Sequence, residues 1–171
     1  MTPSAAASRV DGIAAIVPTS MTVVLALLAA VPLHIPGYMA VVPAFTLMGV
    51  FHWTVYRPDL LPPTIIFAIG VFVDFLTDAH YPGVSPLVLL VGRAVVIRQR
   101  RFFVGRPFPF VWGGFALVAA ATIAALWALS SALESTLLDA RLSAFRWVLS
   151  VAFFPPVSYL MVRAQRALLP D

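Results

Sequence analysis

The chain has 171 residues, 61% of them hydrophobic and only 11% charged, and it contains no cysteine. A water-soluble domain of that length could not hide so much apolar surface, and the missing thiols exclude disulfides, thiolate catalysis and cysteine metal sites. The net charge of +4 comes from eleven basic residues, all arginine, against seven acids; because the arginines flank apolar runs, they set topology and do not mark a nucleic-acid surface.

About 20 apolar residues are needed for each spanning helix, and the runs predict an all-α, polytopic membrane protein with six transmembrane helices. Residues 1–12 read as a short cytoplasmic tail, 13–163 as a single six-helix domain and 164–171 as a second cytoplasmic tail. The first span covers Ile13 to Leu33, with Pro18 in its opening turns, where proline is best tolerated. Arg9 before it and Ala29-Ala30 near its end imitate a signal peptide. The run is longer than a usual signal core and five more follow, so it reads as a retained helix. A His34-Ile35-Pro36-Gly37 turn leads to the second span, Tyr38 to Tyr56. Arg57-Pro58-Asp59 connects tightly to the third, Leu60 to Thr77, and Asp78 through Ser85, with Pro82 and Gly83, forms the next turn. The fourth span, Pro86 to Ile97, is the weakest. It rises only about 18 Å at helical pitch, against a hydrocarbon core about 30 Å thick. It must be extended by its flanks, bury a polar end or lie in thinned bilayer. Spans five and six run from Phe108 to Leu133 and from Phe145 to Val162.

Arginine count orients this array. With the N-terminus in the cytoplasm, the inner segments hold Arg9, Arg57, Arg98, Arg100, Arg101, Arg106, Arg163 and Arg166, and the outer ones only Arg141 and Arg146. That bias predicts both termini inside. Trp53, Tyr56, Trp112 and Tyr159 then fall near the inner interface, and Tyr38, Tyr81 and Trp147 near the outer one, as an aromatic belt requires.

Asp74 lies in the otherwise apolar stretch Gly70-Val71-Phe72-Val73-Asp74. A carboxylate at mid-helix costs roughly 2.5–3.5 kcal/mol on insertion scales, so it should face protein or water. Gly70, Asp74 and Asp78 share one helical face, either a polar interior or a partner-contact stripe; the plainer reading is hydration near the outer surface. Arg93 could pair with Asp74 only if span four is displaced, since their depths differ by roughly 10 Å; it otherwise reads as snorkelling to the inner headgroups. Ala116, Ala120, Ala124 and Ala128, at four-residue spacing in span five, predict a helix-packing face without saying whether the neighbour is in the same chain. Pro155-Pro156 interrupts span six, as a relieved kink or as an unwound segment of a binding site. Arg98, Arg100, Arg101 and Arg106 make a juxtamembrane basic patch, an orientation anchor that suits anionic lipid or a cytosolic partner. The histidines are scattered, and no metal-ligand spacing, phosphate loop or nucleophile elbow occurs. No catalytic residue, cofactor or metal is expected.

The order of these local features resembles the MreD family, the small polytopic subunit of the bacterial rod-shape machinery. The resemblance rests on Tyr56-Arg57-Pro58-Asp59-Leu60-Leu61-Pro62 entering span three and on Gly70-x-x-x-Asp74-x-Leu76 within it. A Pro82-Gly83 turn then precedes Leu87-Val88-Leu89-Leu90, and Gln99-Arg100-Arg101-Phe102-Phe103 and Gly105-Arg106-Pro107-Phe108 lead into span five. The turn itself, Tyr81-Pro82-Gly83-Val84-Ser85-Pro86, departs from the family's more common Pro-Leu-Gly-Leu-like stretch. The resemblance implies a non-catalytic inner-membrane partner of MreC, a bitopic protein whose periplasmic part regulates peptidoglycan synthesis. A RodA-type glycosyltransferase, a class B penicillin-binding protein and MreB form the wider assembly. The family is also similar in fold to the S components of energy-coupling-factor transporters, an analogy that does not settle function. The alternative is therefore a vitamin-like substrate-binding subunit of a transporter, with a pocket built from Asp74, Asp78, His80 and the Pro155-Pro156 break. Self-association, and lipid against MreB as the partner of the inner arginines, stay open.

Overall fold

The computed structural model describes residues 5–30, 42–77, 82–135 and 139–168, with side chains for 16–30, 42–77, 82–135 and 139–167. Among them are six α-helices and no strand: α1 (Ala5–Ala30), α2 (Phe45–Tyr56), α3 (Pro63–Leu76), α4 (Val84–Gln99), α5 (Phe108–Glu134) and α6 (Ala140–Leu168). A 3-10 turn, Arg100–Phe102, follows α4. Prolines start two of the helices, with Pro62 and Pro107 as extended N-caps and Pro63 and Pro109 in the first turns. There the missing N–H costs nothing and the fixed φ suits the helix.

The helices fall on the six apolar runs, and their limits differ in instructive ways. α5 ends one residue beyond the expected Leu133. α1 begins at Ala5 and α6 extends from Ala140 to Leu168, so residues 5–12 and 164–168, expected as tails, are helical. α4 gains length on both flanks, reaching 16 residues, or about 24 Å. α6 continues through Pro155 and Pro156 as one helix, so the expected interruption does not break it.

α2 occupies the centre. It contacts α1, α4, α5 and α6, while α1 meets α3, α3 meets α4, α4 meets α5, α5 meets α6 and α6 returns to α1. Five helices thus close a ring around one. Every residue of α2 from Thr46 to Val55 is buried, and none carries a formal charge. Its polar side chains, Thr46, His52 and Thr54, are all buried with it. Trp53, expected at an aromatic interface, is instead fully buried on this helix, because the ring leaves it no outer side.

Ring and centre meet in a cluster of phenylalanines. Phe115 on α5 stacks on Phe154 on α6 with centroids 4.0 Å apart. Phe51 of α2 meets both edge-on, at 5.3 Å and 5.7 Å. Phe103, just after the 3-10 turn, adds a fourth ring 5.8 Å from Phe51. Such edge-to-face pairs align ring edges with the electron-rich faces. Gly114 makes room for Phe103, since any Cβ there would collide with that ring. Two indoles then stitch α5 to α6 reciprocally: Trp112 Nε1 donates to the Val151 carbonyl and Trp147 Nε1 to the Ala116 carbonyl, each at 2.9 Å.

Two helices, α5 and the Ala140–Ala167 stretch of α6, are long and apolar enough to cross a membrane; Ile16–Ala30 and α3 are shorter apolar helices. The outward surface carries large apolar side chains on every ring helix, among them Leu28, Phe75, Val91, Leu117 and Leu160. Phe115→Ala should lower the unfolding free energy in mild detergent by about 3–5 kcal/mol, as the loss of a buried aromatic does. Leu117→Ala, on the exposed face of the same helix, should change it by less than about 0.5 kcal/mol. Chemical denaturation followed by circular dichroism would read both.

Candidate functional site

Gly70 and Asp74 sit on the face of α3 that meets the start of α4, within the chain. A Cβ added at Gly70 would lie 2.7 Å from the Pro86 nitrogen, so only hydrogen fits between the two backbones. One turn on, Asp74 is 2% exposed and its Oδ2 accepts the Gly83 N–H at 2.6 Å. Gly83 is the N-cap of α4 with φ of 110°, a left-handed conformation that favours glycine. The carboxylate therefore caps a helix whose own N-cap has no side chain, and it meets the positive end of the helix dipole. Its Oδ1 is buried without a hydrogen-bond partner. Asp78, the third member of the expected stripe, lies outside the described residues, as does His80. Arg93 donates from Nη2 to the Pro58 carbonyl at 3.3 Å, toward the other end of the molecule from Asp74.

The four arginines of the basic patch divide into two kinds. Arg100 is partly buried, and its Nε donates to the Val55 carbonyl at 2.8 Å, which satisfies an orphan carbonyl in the last turn of α2. Arg98, Arg101 and Arg106 are exposed. The Arg101 guanidinium lies over the Phe102 ring at 4.9 Å and that of Arg106 over Phe110 at 5.7 Å. Phe102, Val104, Phe108 and Phe110 are themselves exposed beside them. The result is a mixed cationic and aromatic surface, anchored from beneath by Phe103.

Ala116, Ala120, Ala124 and Ala128 do not form one face. Four residues turn a helix by about 40° more than a full circle, so three such steps displace Ala128 by about 120° from Ala116. Ala116 lies against Trp147 of α6, whereas Ala120, Ala124 and Ala128 are exposed. Ala128 reaches a different feature, an apolar groove of about 470 Å³ between α4 and α5. Its α5 wall carries Ala121, Ala125, Ala128 and Ala132, and its α4 wall Leu87, Val91, Gly92 and Val95.

At the end away from the arginine cluster lies a cavity of about 540 Å³. All six helices contribute to it: the last residues of α1, α3 and α5 and the first of α2, α4 and α6. Arg146 lines it, with its Nε buried and without a hydrogen-bond partner. The sequence alone counts Arg146 with the outer segments. α6 begins five residues before the expected Phe145, so Arg146 stands in its second turn. The signal that could have found it is its setting, Phe145-Arg146-Trp147, too apolar for a loop. Of the expected pocket set, Asp78 and His80 lie outside the described residues, and Asp74, Pro155 and Pro156 do not line this cavity.

Among the described residues no group of three or more His, Cys, Asp or Glu is arranged to hold a metal. No family model matches the chain, and neither a curated protein nor a solved structure does.

Gly70→Leu should cost about 3 kcal/mol by overpacking, because the colliding atoms belong to backbone and a proline ring. Asp74→Ala should cost about 1–2 kcal/mol through loss of the cap. Asp74→Asn, which keeps an oxygen acceptor for Gly83, should cost less than half of that. Melting of the three purified variants would rank them.

Proposed function

We propose that this chain is a non-catalytic inner-membrane subunit of the bacterial machinery that elongates the cell wall, an MreD-like partner of MreC that helps to assemble or regulate the synthase complex. The observation that carries the reading is the α4–α5 groove. Between helices in lipid, association depends on van der Waals fit, and small residues let backbones come close. Gly92, Ala121, Ala125 and Ala128 supply that closeness, and the aliphatic side chains beside them supply contact area. The groove holds Thr122 as its one hydroxyl. A bitopic partner such as MreC offers such a helix.

In this reading all six helices cross the bilayer, with the arginine-rich end in the cytoplasm. The bias of eight arginines to two supports that orientation. The outward phenylalanines and leucines support lipid as the surrounding solvent. Arg98, Arg101 and Arg106 then face anionic headgroups or the cytoskeletal side, where MreB lies. RodA-type glycosyltransferase and class B penicillin-binding protein belong to the wider assembly through MreC. The alternative, a vitamin-like substrate-binding subunit of a transporter, draws support from the cavity at the opposite end.

Gentle detergent extraction of the tagged full chain from native membranes, with mass spectrometry of co-purifying proteins, tests the proposal. MreC with cell-wall synthases is the expected companion. Ala125→Phe, which fills the groove from an exposed position, should reduce MreC recovery at least about tenfold at an unchanged level of the chain. Normal recovery with that variant would move the contact elsewhere. A transmembrane coupling protein with ATPases in place of MreC would overturn the assembly reading.

A further inference from the structure

We propose that the cavity away from the arginine cluster binds a small amphipathic anion, a carboxylate or phosphate head on an apolar body, held by Arg146 and the first turn of α2. The inference does not rest on the assembly reading.

Two positive features converge there. The first is Arg146, which is charged at any physiological pH. Its Nε is buried and has no hydrogen-bond partner, while the residue as a whole is half-buried. A buried guanidinium nitrogen without a partner is costly, and a bound anion removes that cost. The second is the N-terminus of α2, whose residues Ala44, Phe45, Thr46 and Leu47 also line the cavity. Ala44 gives this helix no side-chain cap. The N–H groups of Thr46 and Leu47 have no carbonyl of their own helix to bond, and the dipole favours negative charge beside them.

One hydroxyl ties the two features together. Ser150 Oγ accepts the Ala44 N–H at 2.8 Å and donates to the Arg146 carbonyl at 2.6 Å. The start of α2 and the Arg146 turn of α6 are thereby held side by side. The carboxylates close by among the described residues are otherwise placed. Asp74 is engaged with Gly83, and Glu134 and Asp139, which line the cavity, are both exposed. Most of the remaining wall is apolar, with Val88, Ile123, Leu126 and Trp127 among its residues, so a bare inorganic ion would leave it empty. A volume of about 540 Å³ lies in the range of pockets that enclose small organic ligands. The head chemistry is shared by a free organic anion and by an anionic lipid headgroup.

The test uses the full chain in nanodiscs of phosphatidylcholine alone, titrated with hexyl phosphate, hexanoate and hexanol by equilibrium dialysis. Saturable uptake of the two anions at one per chain is expected, with hexanol at least about tenfold weaker. Arg146→Gln should weaken anion binding at least about tenfold, as losing a charge-assisted hydrogen bond does. Arg141→Gln, an exposed neighbour outside the cavity, should bind as the native chain does. Ser143→Phe, which narrows the cavity and leaves Arg146 in place, should also abolish uptake; it keeps the idea testable if Arg146→Gln fails to fold. Equal binding of hexanol, undiminished binding by Arg146→Gln or by Ser143→Phe, or equal loss in Arg141→Gln would each overturn the proposal. Nanodiscs with a tenth of phosphatidylglycerol identify the source. Displacement of hexyl phosphate by that lipid assigns the site to a headgroup, and unchanged uptake assigns it to a soluble ligand.

Discussion

α2 is enclosed on every side, with ten consecutive residues from Thr46 to Val55 buried. Enclosure creates a requirement. A helix leaves orphan N–H groups at its start and orphan carbonyls at its end, and a buried end without partners is costly. The surrounding helices meet part of that need from both directions. Ser150 of α6 takes the Ala44 N–H at one end, and Arg100, beyond α4, bonds the Val55 carbonyl at the other. The ring is therefore more than a wrapping of apolar contacts. It also supplies polar groups that the central helix cannot supply for itself.

The two ends of the molecule differ because the helices differ in length. α2 has 12 residues and α5 has 27, about 18 Å against about 40 Å. At the arginine-rich end the excess is filled by Phe103, which joins the aromatic cluster through the space left at Gly114. At the opposite end the ring continues past the start of α2 and leaves a cavity whose lining includes the first turn of α2 and Arg146. A third feature, the groove between α4 and α5, lies on the flank. One small bundle thus offers three chemically different surfaces: cationic and aromatic, concave with Arg146 in its lining, and apolar with small residues.

Much of the helical layout was legible in the sequence, since apolar runs bounded by proline, glycine and arginine mark helices through local chemistry alone. α5 is the clearest case, opened by Pro107 and lengthened by one residue from its expected end. What could not be read was which neighbour a residue meets. Gly70 and Asp74 share a face of α3, but only the approach of Pro86 and Gly83 makes that face an intrachain seam. Four alanines at four-residue spacing look like one stripe, yet helical pitch spreads them from the α6 contact to the α4–α5 groove. Arg100 looked like its neighbours Arg98 and Arg101 until the fold set it against α2.

The sequence by itself determined an all-helical chain, the approximate place of each helix and the gathering of arginines into particular segments. Those properties follow from hydrophobicity and backbone preference, which act over a few residues. Tertiary structure alone decided that the second helix is central, that Trp53 belongs to the core, that Asp74 caps α4 and that Arg146 lines a cavity. Each of these depends on which helices lie side by side. That choice is made by shape and by the need to satisfy buried polar groups across the whole bundle, and no short stretch of chain encodes it.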